Sequence, residues 1–227
     1  FYMGVDINPV KKWKIVGYYD FFKFPWITTD ASSPSKGDDF LVQADYTMSR
    51  KVSMYWRYKN ESKESNAYES ENGIAKLGTI NKTSLRYQIA YAPFENWELR
   101  NRIELSTFDT QNRQKEKGYL LYQDVIYKPL KAPLSVVLRY AIFDTETYST
   151  RIYTYESDVL NAYSVPPLFS KGSRTYIMLH YKLWKSIDLW LRFSQTKYTD
   201  LSNIGTGMNQ ISGNTKSELK FQLRWKF

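Results

Sequence analysis

Cysteine is absent from the 227 residues, and histidine occurs once. Without Cys the chain forms no disulfide, carries no thiol nucleophile and builds no thiolate metal site. That absence leaves the compartment open. With one His and few clustered acids, the spacings of metal sites are missing too, so neither a metal nor a cofactor is expected. No apolar run approaches the roughly 20 residues of a membrane-spanning helix, which excludes a helical membrane protein. No basic stretch followed by an apolar one stands near Phe1, so the chain reads as a mature or truncated product. Gly205-Thr206-Gly207 lacks the strand and helix that frame a phosphate cradle, and it reads as an outer loop.

Aromatic residues, at 17% with 20 Tyr, are abundant, while mean hydropathy is −0.55. The net charge of +9 comes from Lys and Arg spread along the chain among acids. That spread favours a polar, charge-laced surface over a nucleic-acid stripe.

Apolar residues recur with period two, the mark of strands with one buried face. Val52, Met54, Trp56 and Tyr58 alternate with Ser53, Tyr55, Arg57 and Lys59. Leu85, Tyr87, Ile89 and Tyr91 alternate with Ser84, Arg86, Gln88 and Ala90. Ile187, Leu189, Leu191 and Phe193 oppose Asp188, Trp190, Arg192 and Ser194. The strand near Tyr119 to Tyr127 has no clean face, because Gln123 and Asp124 compete for the polar side.

Connections alternate between short and long. Asn8-Pro9, Ser49-Arg50, Pro93 to Asn96, Pro129 to Pro133 and Lys185-Ser186 are short; Pro25 to Gly37, Glu61 to Lys82, Thr110 to Gly118, Thr145 to Gly172 and Thr199 to Asn214 are long and polar. Tight turns at one end and large loops at the other describe an outer-membrane barrel. A soluble barrel or sandwich also alternates, with its apolar face inward. The aromatics decide between them: Trp13, Phe21, Phe24, Trp26, Trp56, Trp97, Trp184, Trp225 and Phe227 lie close to strand ends or turns, as an interfacial girdle requires. The expected fold is all-β, an antiparallel up-and-down transmembrane β-barrel of the outer-membrane type. Residues 1–227 form part of one barrel, with about eleven strands visible. Bacterial single-chain barrels have even strand numbers, so at least one more strand, and any further region, is expected upstream of Phe1.

The chain closes on "KSELKFQLRWKF". Phe221, Leu223, Trp225 and Phe227 are expected to face lipid, with Lys220, Gln222, Arg224 and Lys226 facing the lumen. A last strand ending on Phe resembles the C-terminal assembly signal read by barrel-assembly machinery, although it lacks the usual early Gly. "RIYTYESDVLNAYSVPPLFSKGSR" (151–174) and the closing "NQISGNTKSELKFQLRWKF" resemble the C-terminal region of Bacteroidota outer-membrane proteins that carry helix-hairpin-helix (ComEA-like) repeats before the barrel. The resemblance spans roughly Gly118 to Phe227. It implies a barrel anchoring a periplasmic region, with nucleic acid contacted only through an upstream region absent here. It transfers no catalytic residue.

The lumen face is expected to carry Arg57, Arg86, Arg100, Arg102, Arg139, Arg192 and Arg224, opposite Asp45, Glu98, Glu104, Asp188 and Glu218. Two readings stay open: an anion-favouring passage, or a narrow barrel whose charges pair across strands. His180 is expected in the lumen beside Arg174 and Lys182, without the Ser and Asn of a hydrolase. Asp20, Asp45 and Glu104 are protease-like carboxylates only in the loosest sense. The loop containing Arg151, Tyr153, Tyr155, Pro166 and Pro167 reads as a partner or plug contact, or a self-packed lid, with Tyr153 and Tyr155 extending a strand. The function expected is a non-enzymatic barrel that anchors a periplasmic region within an outer-membrane protein complex. The alternative is a channel or transporter for anionic solute or DNA, with an outer-membrane hydrolase behind both. Expected partners are outer-membrane lipid, the barrel-assembly machinery and other outer-membrane proteins.

Overall fold

A computed structural model describes residues 1–71, 74–110 and 114–227. The chain runs as a meander through β1 (Tyr2–Ile7), β2 (Trp13–Phe24), β3 (Ser35–Ser49), β4 (Val52–Glu71), β5 (Ile74–Tyr91) and β6 (Trp97–Thr110). It continues through β7 (Glu116–Tyr127) and β8 (Leu134–Thr145). Two-residue strands β9 (Ile152–Tyr153) and β10 (Pro167–Leu168) precede β11 (Lys171–Trp184) and β12 (Ile187–Tyr198). A second minor pair, β13 (Asn203–Ile204) and β14 (Ile211–Ser212), precedes β15 (Thr215–Trp225). The eleven long strands make one sheet, each antiparallel to its neighbours, in the order β1 to β8, β11, β12, β15. Among the described residues no ladder joins β1 to β15, so the sheet is open between those edges.

One face of this sheet is apolar and bare. Trp56, Tyr58, Leu85, Ile103, Leu105, Leu121, Leu138, Leu191 and Phe193 all point outward, each about two-fifths to half exposed. A soluble protein would bury such a band; a barrel turns it to lipid. Trp13 and Trp97 open β2 and β6, while Trp184 and Trp225 close β11 and β15, so four Trp share the short-turn end. Trp13 also packs on Tyr46 and Trp56 at ring distances of 4.8 and 6.1 Å. An aromatic row at that end matches the interfacial girdle of a membrane barrel.

The core sits on the other face. Leu120, Tyr122, Ala141, Phe143 and Tyr198 are buried there with Ile152, Leu168 and Ile204 from the connections. A second cluster holds Ile126, Val137, Tyr176, Met178 and Trp190, with Val159 and Leu160 packed against it. These contacts settle the orientation of β7: Leu120, Tyr122, Asp124 and Ile126 point inward, and Tyr119 and Leu121 outward. Its inner face is apolar because a loop covers it, which is why alternation alone left it ambiguous.

Of the stretch from Glu61 to Lys82, expected as a long loop, Glu61 to Asn66 and Leu77 to Lys82 form a ladder instead. Lys63 pairs with Ile80 and Asn66 with Leu77, and the strands β4 and β5 are 20 and 18 residues long. At ~3.3 Å per residue β4 spans about 65 Å, far beyond an apolar band of ~25 Å. Glu61 to Asn66 are polar at every position and therefore show no alternation.

Candidate functional site

The connection from β8 to β11 folds back into the barrel. It begins with a 3₁₀ turn, Tyr148–Thr150, capped by Thr147. Tyr153 then pairs with Pro167 and Ile152 with Leu168, and Glu156 bridges to Ser164. The result is a hairpin over residues 152–168 whose tip turns at Asn161, with φ of 62°. Tyr153 and Tyr155 therefore do not extend a strand above the membrane. Pro167 pairs with Tyr153 in a ladder only two residues long, since the prolines cannot supply the donors for a longer one.

Alternation within the hairpin explains its position. Ile152, Thr154 and Glu156 are buried against the wall, while Tyr153 and Tyr155 are turned away and exposed. Ile152 and Leu168 pack at the level of Phe143, and Val159 and Leu160 reach the level of Val137. Those levels differ by six residues along β8, or about 20 Å of strand. The hairpin descends through much of the bore.

Glu156 fixes it there. Its carboxylate, fully buried, accepts from Arg174 Nε and Nη2 at 2.6 and 2.8 Å and from Arg192 Nη2 at 2.6 Å. Arg192 also donates to the Ser157 carbonyl at 3.1 Å and to Glu218 at 3.1 Å. Arg139 holds Asp124 through bonds of 2.5 and 2.8 Å and donates its third nitrogen to the Tyr155 carbonyl at 2.8 Å. At the tip, Asp158 accepts from Lys220 at 2.8 Å. Burial opposes ionisation of Asp158, yet Lys220, the Val159 amide and Arg192 outweigh it and hold its pKa below the usual carboxylate range. A buried charge survives only when paired and hydrogen-bonded, and here every arginine under the hairpin meets that condition.

The remaining sequence-predicted residues are distributed along the wall. Arg86 donates to Glu104 at 2.9 and 3.0 Å, and Arg102 pairs with the same carboxylate. Arg100 meets Glu98 at 2.7 Å, and Arg224 meets Asp188 at 2.6 Å. Arg57 donates to Gln43 at 2.7 Å. Arg151 bonds the Tyr153 hydroxyl and the Tyr148 carbonyl, both at 2.8 Å, and lies over the Tyr148 ring at 4.3 Å. Phe221, Leu223 and Trp225 share the bare outer face of β15, with Phe227 just beyond it. Pro166 lies on the hairpin's second limb, between the Glu156–Ser164 bridge and the two-residue ladder. His180 stacks on Trp190 at 4.7 Å and its Nε2 lies 3.2 Å from Asp188. Asp45 bonds Gln43, far from Glu104, so the loose carboxylate set does not converge.

Sequence reasoning missed the three acids that matter most here, Asp124, Glu156 and Asp158. Asp124 lay on the strand of undecided face, and the other two lay in a loop whose inward course has no local signature. The only available hint was the excess of arginines on β8, β11 and β12, which needed partners from somewhere.

No protein-family model matches the chain, and no curated protein matches its sequence. Solved structures do share its fold. An anion-selective porin from Comamonas acidovorans aligns over 100% of this chain and 59% of its own, with a TM-score of 0.60 at 14% identity. CdiB from Acinetobacter baumannii aligns over 100% of this chain and 44% of its own, at 0.56 and 13%. The chain thus spans about half the length of these proteins. The likeness shows the fold: an antiparallel β-sheet of the outer-membrane barrel type. With the bare apolar band and its Trp row, that fold places the chain in the outer membrane.

Proposed function

We propose that the protein is a non-enzymatic outer-membrane barrel of channel type, in which the hairpin 152–168 is a fixed constriction. The observation that carries this reading is Glu156, buried between Arg174 and Arg192 at 2.6 Å from each. The hairpin lies along β7, β8, β11 and β12, while the inner faces of β2 to β5 keep half-exposed polar residues such as Asp39, Gln43, Arg57 and Lys59. Small hydrophilic solutes pass along that polar side, and larger ones are excluded by the hairpin. Acid–base catalysis is disfavoured because Glu104, Asp124 and Glu156 are all held in ion pairs.

Planar-bilayer recording of the full protein tests this. The expected result is small, steady conductance that rises when residues 154–166 are replaced by a short Gly-Ser linker. Conductance unchanged by that replacement, in a barrel that still folds, contradicts a constriction.

A second reading, a barrel anchoring a periplasmic region within an outer-membrane complex, draws on two supports. One is the resemblance of 151–174 and the closing strand to Bacteroidota helix-hairpin-helix barrel proteins. The other is the exposed set Tyr153, Tyr155 and Tyr163, whose hydroxyl-tipped rings are suited to a protein contact. Gentle extraction and imaging of the native particle separates the two: a bound partner seated on these tyrosines favours the anchor, and a solitary barrel favours the channel.

A further inference from the structure

Most cations on the inner wall are tied to a carboxylate: Lys59 to Asp39, Arg86 and Arg102 to Glu104, Arg139 to Asp124, Arg224 to Asp188. One place departs from that rule. At the long-loop end, β4, β5, β6 and the 3₁₀ turn enclose a half-open cavity of about 210 Å³. Its lining is Glu61, Lys63, Ile80, Lys82, Phe108, Ser149 and Arg151. Three cations face one carboxylate there. Lys63 reaches Glu61 and Asp30 only at 3.8 and 3.9 Å. Among the described residues neither Lys82 nor Arg151 forms an ion pair.

The ladder explains why these side chains meet. Glu61 pairs with Lys82 and Lys82 with Phe108, while Lys63 pairs with Ile80, so two cross-strand rows point into the same space. Arg151, just past the 3₁₀ turn, joins them already oriented. Its Nε and Nη1 are engaged by Tyr153 and Tyr148, which leaves Nη2 directed elsewhere. Lys82 stands nine residues above Tyr91, the end of β5, or about 30 Å along the strand. After barrel tilt that is the outer rim of an apolar band of ~25 Å.

We infer that this cavity is a binding site for a small organic carboxylate with a short apolar body. Lys82, Arg151 and the Ser149 hydroxyl take the carboxylate, and the Ile80 and Phe108 side chains take the apolar part. An unpaired lysine and an arginine held in place supply charge-assisted bonds without much ordering cost. The apolar pair distinguishes such a ligand from a bare inorganic anion. The site does not depend on conduction, because binding in detergent and current across a bilayer are separate readouts.

The test is isothermal titration of the purified full protein with benzoate, using benzyl alcohol and inorganic phosphate as comparison probes. Benzoate is expected to bind saturably, with both comparison probes at least about tenfold weaker. Lys82→Met and Arg151→Gln are each expected to weaken benzoate about tenfold or more, and Lys82→Arg to retain it. Unheated gel migration checks that each variant is a folded barrel; should the neutral variants misfold, Lys82→Arg and the two comparison probes still decide. Benzoate that fails to saturate overturns the site. So does benzoate binding indifferent to Lys82→Met and Arg151→Gln in folded protein, and so does phosphate bound as tightly as benzoate.

Discussion

Glu156 is the residue on which the inward fold turns, because it is the one carboxylate paired with buried Arg174 among the described residues and shares buried Arg192 with Glu218. Removing one member of a buried ion pair costs about 3–5 kcal/mol, since the charges left behind lose their partner. Glu156→Ala is therefore expected to release the hairpin, or to lower barrel stability by an amount of that order. A denaturant titration followed by unheated gel migration measures it; a change below about 1 kcal/mol would fall in the range of exposed pairs and contradict the burial described. Asp158 adds a pH dependence of known sign. Its pKa is depressed in the folded state, so its contribution is present above the unfolded carboxylate value near ~4 and is lost as pH falls through the folded one. Quenching of Trp190 fluorescence beside the tip is expected to stay flat from neutral pH to about 5 and to rise only below about 4. A rise that starts near pH 6 would assign the tip to some other group.

At the scale of elements, legibility followed lipid. Where a strand crosses the apolar band, one face must be apolar, and β4 from Val52 to Tyr58, β5 from Leu85 to Tyr91 and β12 are readable by period two alone. Above the band neither face meets lipid, so Glu61 to Lys82 looked like a loop although its backbone ladder continues to Asn66 and Leu77. β7 is ambiguous for a different reason: its inner face is covered by the hairpin and so holds Leu120 and Ile126, while Leu121 faces outward, which leaves apolar residues on both faces. The hairpin's own inward course was invisible because its specificity lies in long-range ion pairs. The start of β11 depends on a close approach. A Cβ on Gly172 would collide with the Lys197 carbonyl across the ladder and crowd Phe143 at 3.1 Å. Gly172→Ala is expected to separate β11 from β12 at the rim and to lower thermal stability by a few degrees, read from the gel-shift melting curve. An unchanged curve would show that the rim is loose.

For the whole molecule, the sheet supplies an apolar exterior and an interior divided in two. The half formed by β7 to β15 is filled by the hairpin and neutralised by it. The inner faces of β2 to β5 keep half-exposed polar residues, and the cation-rich cavity lies at the long-loop end beside them. That asymmetry is the basis for the narrow, charged passage proposed above, and it rests on the hairpin lying inside the barrel. The absence of Cys from these 227 residues favours a direct test. Leu160 is replaced by Cys together with Met178→Cys on the inner wall, and a short thiol cross-linker is applied to the protein in native outer membranes. The structure packs Leu160 against the cluster that contains Met178, so efficient cross-linking within one chain is predicted. No cross-link, together with free reaction of the residue-160 thiol with a bulky reagent in the outside medium, would place the hairpin outside the bore and contradict the account.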